Sequence, residues 1–395
     1  MGRACPLALL LGALWLAPAR AAPGDTLQFV GGLGFVHEDN LFRLADGQPP
    51  FDGQRGDSAR QVLLGLVFDH TYGRQQVQAQ AHSTRVTFDH FRQIDYNASD
   101  ARLDWNWQCA EHLSGSTGAS YLQTLAPYTD LRSKERNLRD QRRAWLDGAW
   151  RLHPSWQVRA AGARERFRYD LASLRYNNRD EDSAEAGLDY LPSSGSSVGL
   201  VARRLRGNYL ELRPFGALLV DDSFKQDELK LRVIWKASAM TEIELLAGHA
   251  SRRHQAGGAR DASGFNGRAS VSVDRGGKLR WNGAAWREFA PLESELVSYS
   301  LNQGASAGAS YALSSKISID ASVRHERRAY RLPLGASQGE LRDTLRQAAL
   351  SASWSPRQFV QVVAGAARQQ RSGAVLLGNG SFRATTMSLN VNAQF

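Results

Sequence analysis

The chain has 395 residues, with 49 Lys and Arg against 39 Asp and Glu, a formal net charge of +10. No apolar run beyond the first residues reaches the roughly 18 that a membrane-spanning helix needs, which excludes a helical membrane protein. Ten Trp, eleven Tyr and fifteen Phe are too many large apolar groups to leave in water, which excludes disorder, and 36 Gly against 12 Pro suit strands and tight turns.

Met1-Gly2-Arg3 is a positive start, Leu7 to Leu16 a short apolar core, and Ala19-Arg20-Ala21 an A-x-A cleavage site. Residues 1–21 therefore read as a signal peptide and 22–395 as a single exported domain. Cys5 precedes the apolar core, so it is not a lipobox cysteine. Without Arg3 and Arg20, 47 basic residues face 39 acids, a mature charge of +8. Only Cys109 remains, which rules out a disulfide within the chain and leaves a closed hydrogen-bonded sheet as a way to hold an exported protein of this size.

From there on the pattern has period two. Ala101, Leu103, Trp105 and Trp107 alternate with Asp100, Arg102, Asp104, Asn106 and Gln108, which a strand sorts to two faces and a helix mixes. Leu229–Trp235, Ile317–Val323 and Ala348–Trp354 repeat the alternation. The connections are alternately short and long. Short turns fall near Thr71–Arg74, Ala110–His112, His153–Ser155, Pro192–Ser196, Ala237–Met240, Arg275–Gly277, Leu313–Ser315 and Ser355–Arg357. Longer polar segments include Glu38–Gly56, Pro127–Asn137, Gly207–Ser223, Arg252–Ser263, Arg331–Gly339 and Ser372–Gly380. Tight turns at one end and loops at the other are the asymmetry of an outer-membrane barrel.

Aromatics gather at the short-turn ends. Trp105, Trp107, Trp150, Trp156, Tyr190, Trp235, Trp281, Tyr311 and Trp354, with Phe359, form the interfacial girdle expected at a headgroup layer. About eighteen strands are expected, sixteen being the alternative. Their starts lie near Thr26, Ser58, Gln75, Asp95, Leu113, Leu138, Trp156, Asp180, Ser197, Phe224, Thr241, Gly264, Lys278, Ser294, Lys316, Glu340, Gln358 and Ser381. The least marked are Ser197–Arg206 and a partner edge at Gly216–Val220. The fold class is thus all-β, a transmembrane antiparallel barrel of the outer membrane. Met387, Leu389, Val391, Ala393 and Phe395 share one face of the last strand, which looks like the signal read by the barrel-assembly machinery, with Phe395 as its terminal aromatic.

Glu38-Asp39-Asn40-Leu41-Phe42-Arg43-Leu44, Tyr72-Gly73-Arg74-Gln75 and the tryptophan-ended strands from Asp104 through Trp156 carry a family resemblance. The sequence resembles the EpsL-type outer-membrane proteins of exopolysaccharide biosynthesis loci, found with exosortase-associated polymer systems. That resemblance implies a role in polymer export or assembly at the outer membrane, and it brings no catalytic residues.

A barrel of sixteen to eighteen strands is too wide for side chains to fill, so inward faces set selectivity. The alternation places Arg102, Asp104, Arg139, Arg143, Arg159, Lys230, Arg232, Arg268, Arg280 and Arg324 inside, with Lys278, Asp147, Glu165, Glu185, Glu228 and Asp320, for a modest basic excess. Such a wall suits an acidic exopolysaccharide; Arg–carboxylate ladders bracing an ordinary barrel are the other reading. Trp145 points inward and offers a face to sugar rings. Outer-membrane lipid, the assembly machinery and periplasmic polysaccharide-export proteins are the further partners expected. Export removes nucleic acid, since the arginines are spread along strands rather than grouped.

Enzymatic signals are weak. Gly195–Gly199 and Gly304–Gly308 match G-x-S-x-G without the strand-to-helix turn that a nucleophile elbow needs. No metal site or cofactor is indicated. His325-Glu326 reads as a solvated rim pair, and Asp39 and Asp46 as parts of a solvated loop rather than a cation site. A general diffusion porin and a non-conducting structural barrel are the alternative functions.

Overall fold

The computed structural model describes residues 26–129, 133–215, 217–256, 260–291, 297, 299–330, 341–373 and 380–395. Residues 1–21, where a signal peptide is expected, Arg331–Gly339 and most of Ser372–Gly380 lie outside the described residues. The strands are β1 (Leu27–Glu38), β2 (Asp57–Tyr72), β3 (Gln75–Phe88), β4 (Tyr96–Cys109), β5 (Leu113–Leu125), β6 (Leu138–His153), β7 (Trp156–Tyr169), β8 (Arg179–Tyr190), β9 (Ser197–Tyr209), β10 (Arg213–Phe215) and β11 (Leu218–Val220). They continue as β12 (Phe224–Ser238), β13 (Thr241–His254), β14 (Ala262–Asp274), β15 (Leu279–Pro291), β16 (Tyr299–Ala312), β17 (Ile317–Tyr330), β18 (Leu341–Arg357), β19 (Val360–Gly373) and β20 (Phe382–Gln394).

Eighteen of these form one antiparallel sheet. The sheet closes on itself where β1 pairs with β20, from Val30 opposite Gln394 to Glu38 opposite Thr386. Closure leaves no unpaired edge, the condition for a sheet to cross a bilayer. It also settles the strand number at eighteen rather than sixteen. β10 and β11 form a separate hairpin in the loop between β9 and β12, so of the expected edge at Gly216–Val220 the described Leu218–Val220 does not join the barrel, and Gly216 lies outside the described residues.

Period two sorts the side chains. On β1 and β2 the outward residues include Phe29, Leu33, Leu64 and Leu66, and Phe29, Leu33 and Leu64 are 60%, 65% and 68% exposed. A continuous apolar exterior of this kind is stable against lipid, not water. Glycine sits where the first tight hairpin needs it: Gly73, at φ +58°, occupies the leading turn position between β2 and β3.

Strand starts agree with the sequence reading to within a few residues, and one difference has a physical cause. The turn expected at Ser355–Arg357 lies at Gln358 and Phe359, because the register shifts between Trp354 and Arg357, where Pro356 has no N–H to give the ladder. The strand expected from Ser294 is described from Tyr299. Among the described residues, Cys109 is a free cysteine.

The long connections are not simply solvated. Leu41, Phe42 and Leu44 of the first loop are almost fully buried, packing with Phe91, Ile94 and Tyr128 from the next two long connections, with Leu125 at the end of β5 and with inward Ala59, Val86, Phe88 and Tyr96. Apolar residues inside otherwise polar loops are what draws these loops into the mouth.

Candidate functional site: the inner wall and the mouth

The inward face of each strand is fixed by what lies outside it. On β4, Leu103 and Trp105 face out, so Arg102 and Asp104 face in. The same register turns Arg139 and Arg143 (β6), Arg159 (β7), Lys230 and Arg232 (β12), Arg268 (β14), Arg280 (β15) and Arg324 (β17) inward. Trp105, Trp107, Trp150, Trp156, Tyr190, Trp235, Trp281, Tyr311 and Trp354 occupy outward positions at the short-turn ends, with Trp107 lying across Gly115. Phe395 extends this ring next to Phe359, with centroids 5.9 Å apart.

Most inward bases are committed to acids. Arg102 grips Asp104 with two hydrogen bonds, of 2.5 and 2.7 Å. Arg159 and Arg232 converge on Asp189 at 2.6 and 3.3 Å. Lys230 reaches Glu228 at 2.8 Å, Arg268 reaches Glu288 at 2.8 Å, and Arg280 lies 4.0 Å from Asp274. Arg324 holds Glu326 at 2.5 Å, which also accepts the Trp286 indole N–H at 2.9 Å. Arg159–Asp189, Arg232–Asp189, Arg268–Glu288 and Arg280–Asp274 join different strands and stiffen the wall, while Arg102–Asp104, Lys230–Glu228 and Arg324–Glu326 pair along one strand.

The basic excess expected inside does not hold. Inward acids match inward bases: β8 offers Glu181, Glu185 and Asp189 against Arg179, β13 offers Glu242 and Glu244 against Arg252, and β2 carries Asp57 and Asp69 with no base. The surplus positive charge lies on the outward face near the long loops.

Two tryptophans stand inside. Trp145 on β6 packs against Gly118, where a Cβ has no room, and the Arg102 and Arg143 guanidinium carbons lie 5.0 and 5.8 Å from its ring centre. Trp286 on β15 packs against Gly304, with Arg268 and Arg324 at 5.1 and 4.2 Å. Trp145 is a half-buried aromatic face framed by two arginines, whereas Trp286 is 6% exposed and its ring is covered. Trp286 was missed in the sequence, although the alternation of Asn282, Ala284, Trp286 and Glu288 against Trp281 carries the signal.

The mouth is built from charged clusters as well as apolar ones. Asp343 on β18, with a side chain 0% exposed, accepts from Arg328 at 2.6 and 2.8 Å, Tyr330 at 2.6 Å and Arg371 of β19 at 2.7 Å. Arg371 also donates to the Thr129 carbonyl at 2.8 Å, so the connection between β5 and β6 is tied to a strand far round the ring. Burial raises the Tyr128 phenol above its ordinary value, and it stays a neutral donor, 3.3 Å from the Glu135 carbonyl. On the other side, buried Asp222 takes Arg213 at 2.5 Å and Arg260, while Arg213 reaches Asn177 at 2.9 Å. That cluster joins the β7–β8, β9–β12 and β13–β14 connections.

The minor candidates separate. Ser197 and Ser306, the centres of the two G-x-S-x-G matches, sit at the start of β9 and inside β16, and no helix follows either. Glu326 points inward, so His325, its neighbour on the strand, lies on the opposite face and the two make no rim pair. Asp39 accepts the Thr385 N–H at 2.7 Å and Asp46 faces Arg383 at 3.6 Å, two separate roles. Among the described residues no group of His, Cys, Asp and Glu is placed to hold a metal.

No protein-family model matches the chain, and no curated protein matches it. Among solved structures it is similar to the outer membrane protein OpdK of Pseudomonas aeruginosa, at 12% identity over 93% of this chain and 99% of that one, with a TM-score of 0.49. It is also similar to the FrpB iron transporter of Neisseria meningitidis, at 11% identity over 94% and 81%, with a TM-score of 0.48. A mutant ferric enterobactin receptor, PfeA, of Pseudomonas aeruginosa shares 7% identity over 93% and 80%, with a TM-score of 0.44.

Proposed function

We propose that this barrel is an outer-membrane conduit for an exopolysaccharide, in keeping with its resemblance to the EpsL-type proteins. The observation that carries the reading is the inward, half-buried Trp145, framed by Arg102 and Arg143. A ring face stacks on a pyranose, and flanking guanidiniums bond its hydroxyls or carboxylates. The remaining wall is polar and charge-balanced, so sugar contacts are weak and repeated, as transport requires. Diffusion or pushed threading then moves the polymer with no bond made or broken and no cofactor.

The test is conductance of the purified protein in planar bilayers, with and without an acidic oligosaccharide as blocker, alongside deletion of the gene. Polymer retained in the periplasm and block by the oligosaccharide support the conduit. Uptake of unrelated small solutes with no polymer phenotype points to a general porin instead. The inward-folded loops favour a second reading, a barrel that scaffolds polysaccharide-assembly partners, for which no conductance is expected under any condition.

A further inference from the structure

The outward faces of β15 to β20 carry Arg287, Arg327, Arg342, Arg346, Arg368 and Arg383, all at the long-loop ends of their strands. They form one ribbon. Arg327 pairs with Thr344, which separates Arg342 from Arg346, and Arg346 pairs with Gln370, which pairs in turn with Arg383. Arg368 stands two residues before Gln370, and Gln303 links Arg287 to Arg327. Among the described residues, the outward positions of these six strands hold no carboxylate. Elsewhere round the rim several outward arginines have acids, as Arg164 and Arg168 meet Asp180, Arg204 meets Asp227 and Arg60 meets Asp89, although Arg85, Arg142 and Arg206 make no ion pair among the described residues. Arg287, Arg327, Arg346 and Arg368 make no ion pair among the described residues, and Arg383 has only exposed Asp46, at 3.6 Å.

Directly towards the girdle from this ribbon the lipid-facing wall is indented. Ala307, Ala309, Ala321, Ala348 and Ala366 line a shallow apolar groove that runs from Trp281 to Arg368. Cations above an acyl-width groove, at the level of the headgroups on the loop side, complement an anionic lipid. Five strand spacings of about 4.8 Å spread the ribbon over about 24 Å, more than one phosphodiester headgroup covers.

We propose that β15 to β20 form a seat for a single kind of lipid, a glycolipid of the outer leaflet with more than one headgroup phosphate and several acyl chains. The phosphates lie on the arginine ribbon and a chain lies in the alanine groove. The seat faces lipid rather than the lumen and does not depend on what the lumen carries.

The test is native mass spectrometry of the purified barrel in detergent with three probes: bis-phosphorylated lipid A, the same lipid with both phosphates removed, and phosphatidylglycerol. Retention of the bis-phosphorylated form above both others is expected. The R327Q/R346Q/R368Q variant is expected to lose affinity on the order of 100-fold, from three interfacial arginines. An R60Q/R204Q variant, changed on the acid-paired side, is expected to bind as the parent does. Equal retention of the dephosphorylated lipid or of phosphatidylglycerol overturns the proposal. So does a triple variant that binds normally, or a control variant that loses as much as the triple.

Discussion

Arg371 is the bolt of the outer mouth. It donates to the Thr129 carbonyl at 2.8 Å and ties the β5–β6 connection to β19. In Arg371→Ala the buried Asp343 keeps Arg328 and Tyr330, so no charge is stranded and the barrel stays intact. What the connection itself loses is one hydrogen bond from a charged donor, about 1.5–3 kcal/mol. At about 1.4 kcal/mol per decade, the population with that connection released rises about 10- to 100-fold. The edge contact of Phe42 with Tyr128, centroids 4.9 Å apart, still resists release, so Arg371→Ala/Tyr128→Ala is expected to go further than either change alone. Single-channel recording in planar bilayers reads this as longer or larger openings. If the open-time distribution of a folded Arg371→Ala barrel matches that of the parent, the connection does not gate the mouth and the reasoning fails.

Trp145→Ala is expected to weaken block by a sugar oligomer on the order of tenfold, from about 1.4 kcal/mol of lost ring contact, while open-channel conductance holds or rises; undiminished block removes that ring from the polymer path. Asp222→Ala leaves Arg213 and Arg260 buried without their counter-charge, a cost of about 3–5 kcal/mol, and limited trypsin digestion should then cut the three connections that this carboxylate joins while the strands stay protected. Removing Phe395 is expected to lower the fraction of folded barrel in cells, read as loss of the heat-modifiable band on gels, and undiminished assembly would show that the terminal aromatic is dispensable. Reversing Arg102, Arg143 and Arg232 to Glu is expected to lower polymer export; unchanged secretion counts against inner-wall arginines as polymer contacts.

The barrel was legible because strand alternation is a local property. Leu103 and Trp105 against Arg102 and Asp104 fix two faces without any tertiary knowledge, and tight turns such as Tyr72-Gly73-Arg74-Gln75 announce themselves through glycine. The mouth was not legible, because its parts are far apart in the chain: Thr129 meets Arg371, and Asn177, Asp222 and Arg260 come from three connections. Leu41, Phe42 and Leu44 did give a signal, an apolar run inside a polar loop, but apolarity alone does not say what covers it. Alternation also misleads over charge. It assigns arginine to the inside wherever an apolar face is outside, yet near the loops the outward face has left the hydrocarbon, and Arg327, Arg346 and Arg368 are stable there.

That partition of charge bears on how the barrel works. A net positive chain suggests an anion-attracting pore, but the inner wall balances Arg159 and Arg232 against Asp189, and Arg324 against Glu326. Paired charges make short-range hydrogen-bonding sites with little long-range field, so the lumen discriminates by contact rather than by steering. The ribbon of Arg287, Arg327, Arg346 and Arg368 stands outside, where it acts on the membrane surface and not on what passes through. On the proposed conduit reading, selectivity inside rests on the shape and stacking of Trp145, and a polymer gains by matching its face rather than by carrying more charge.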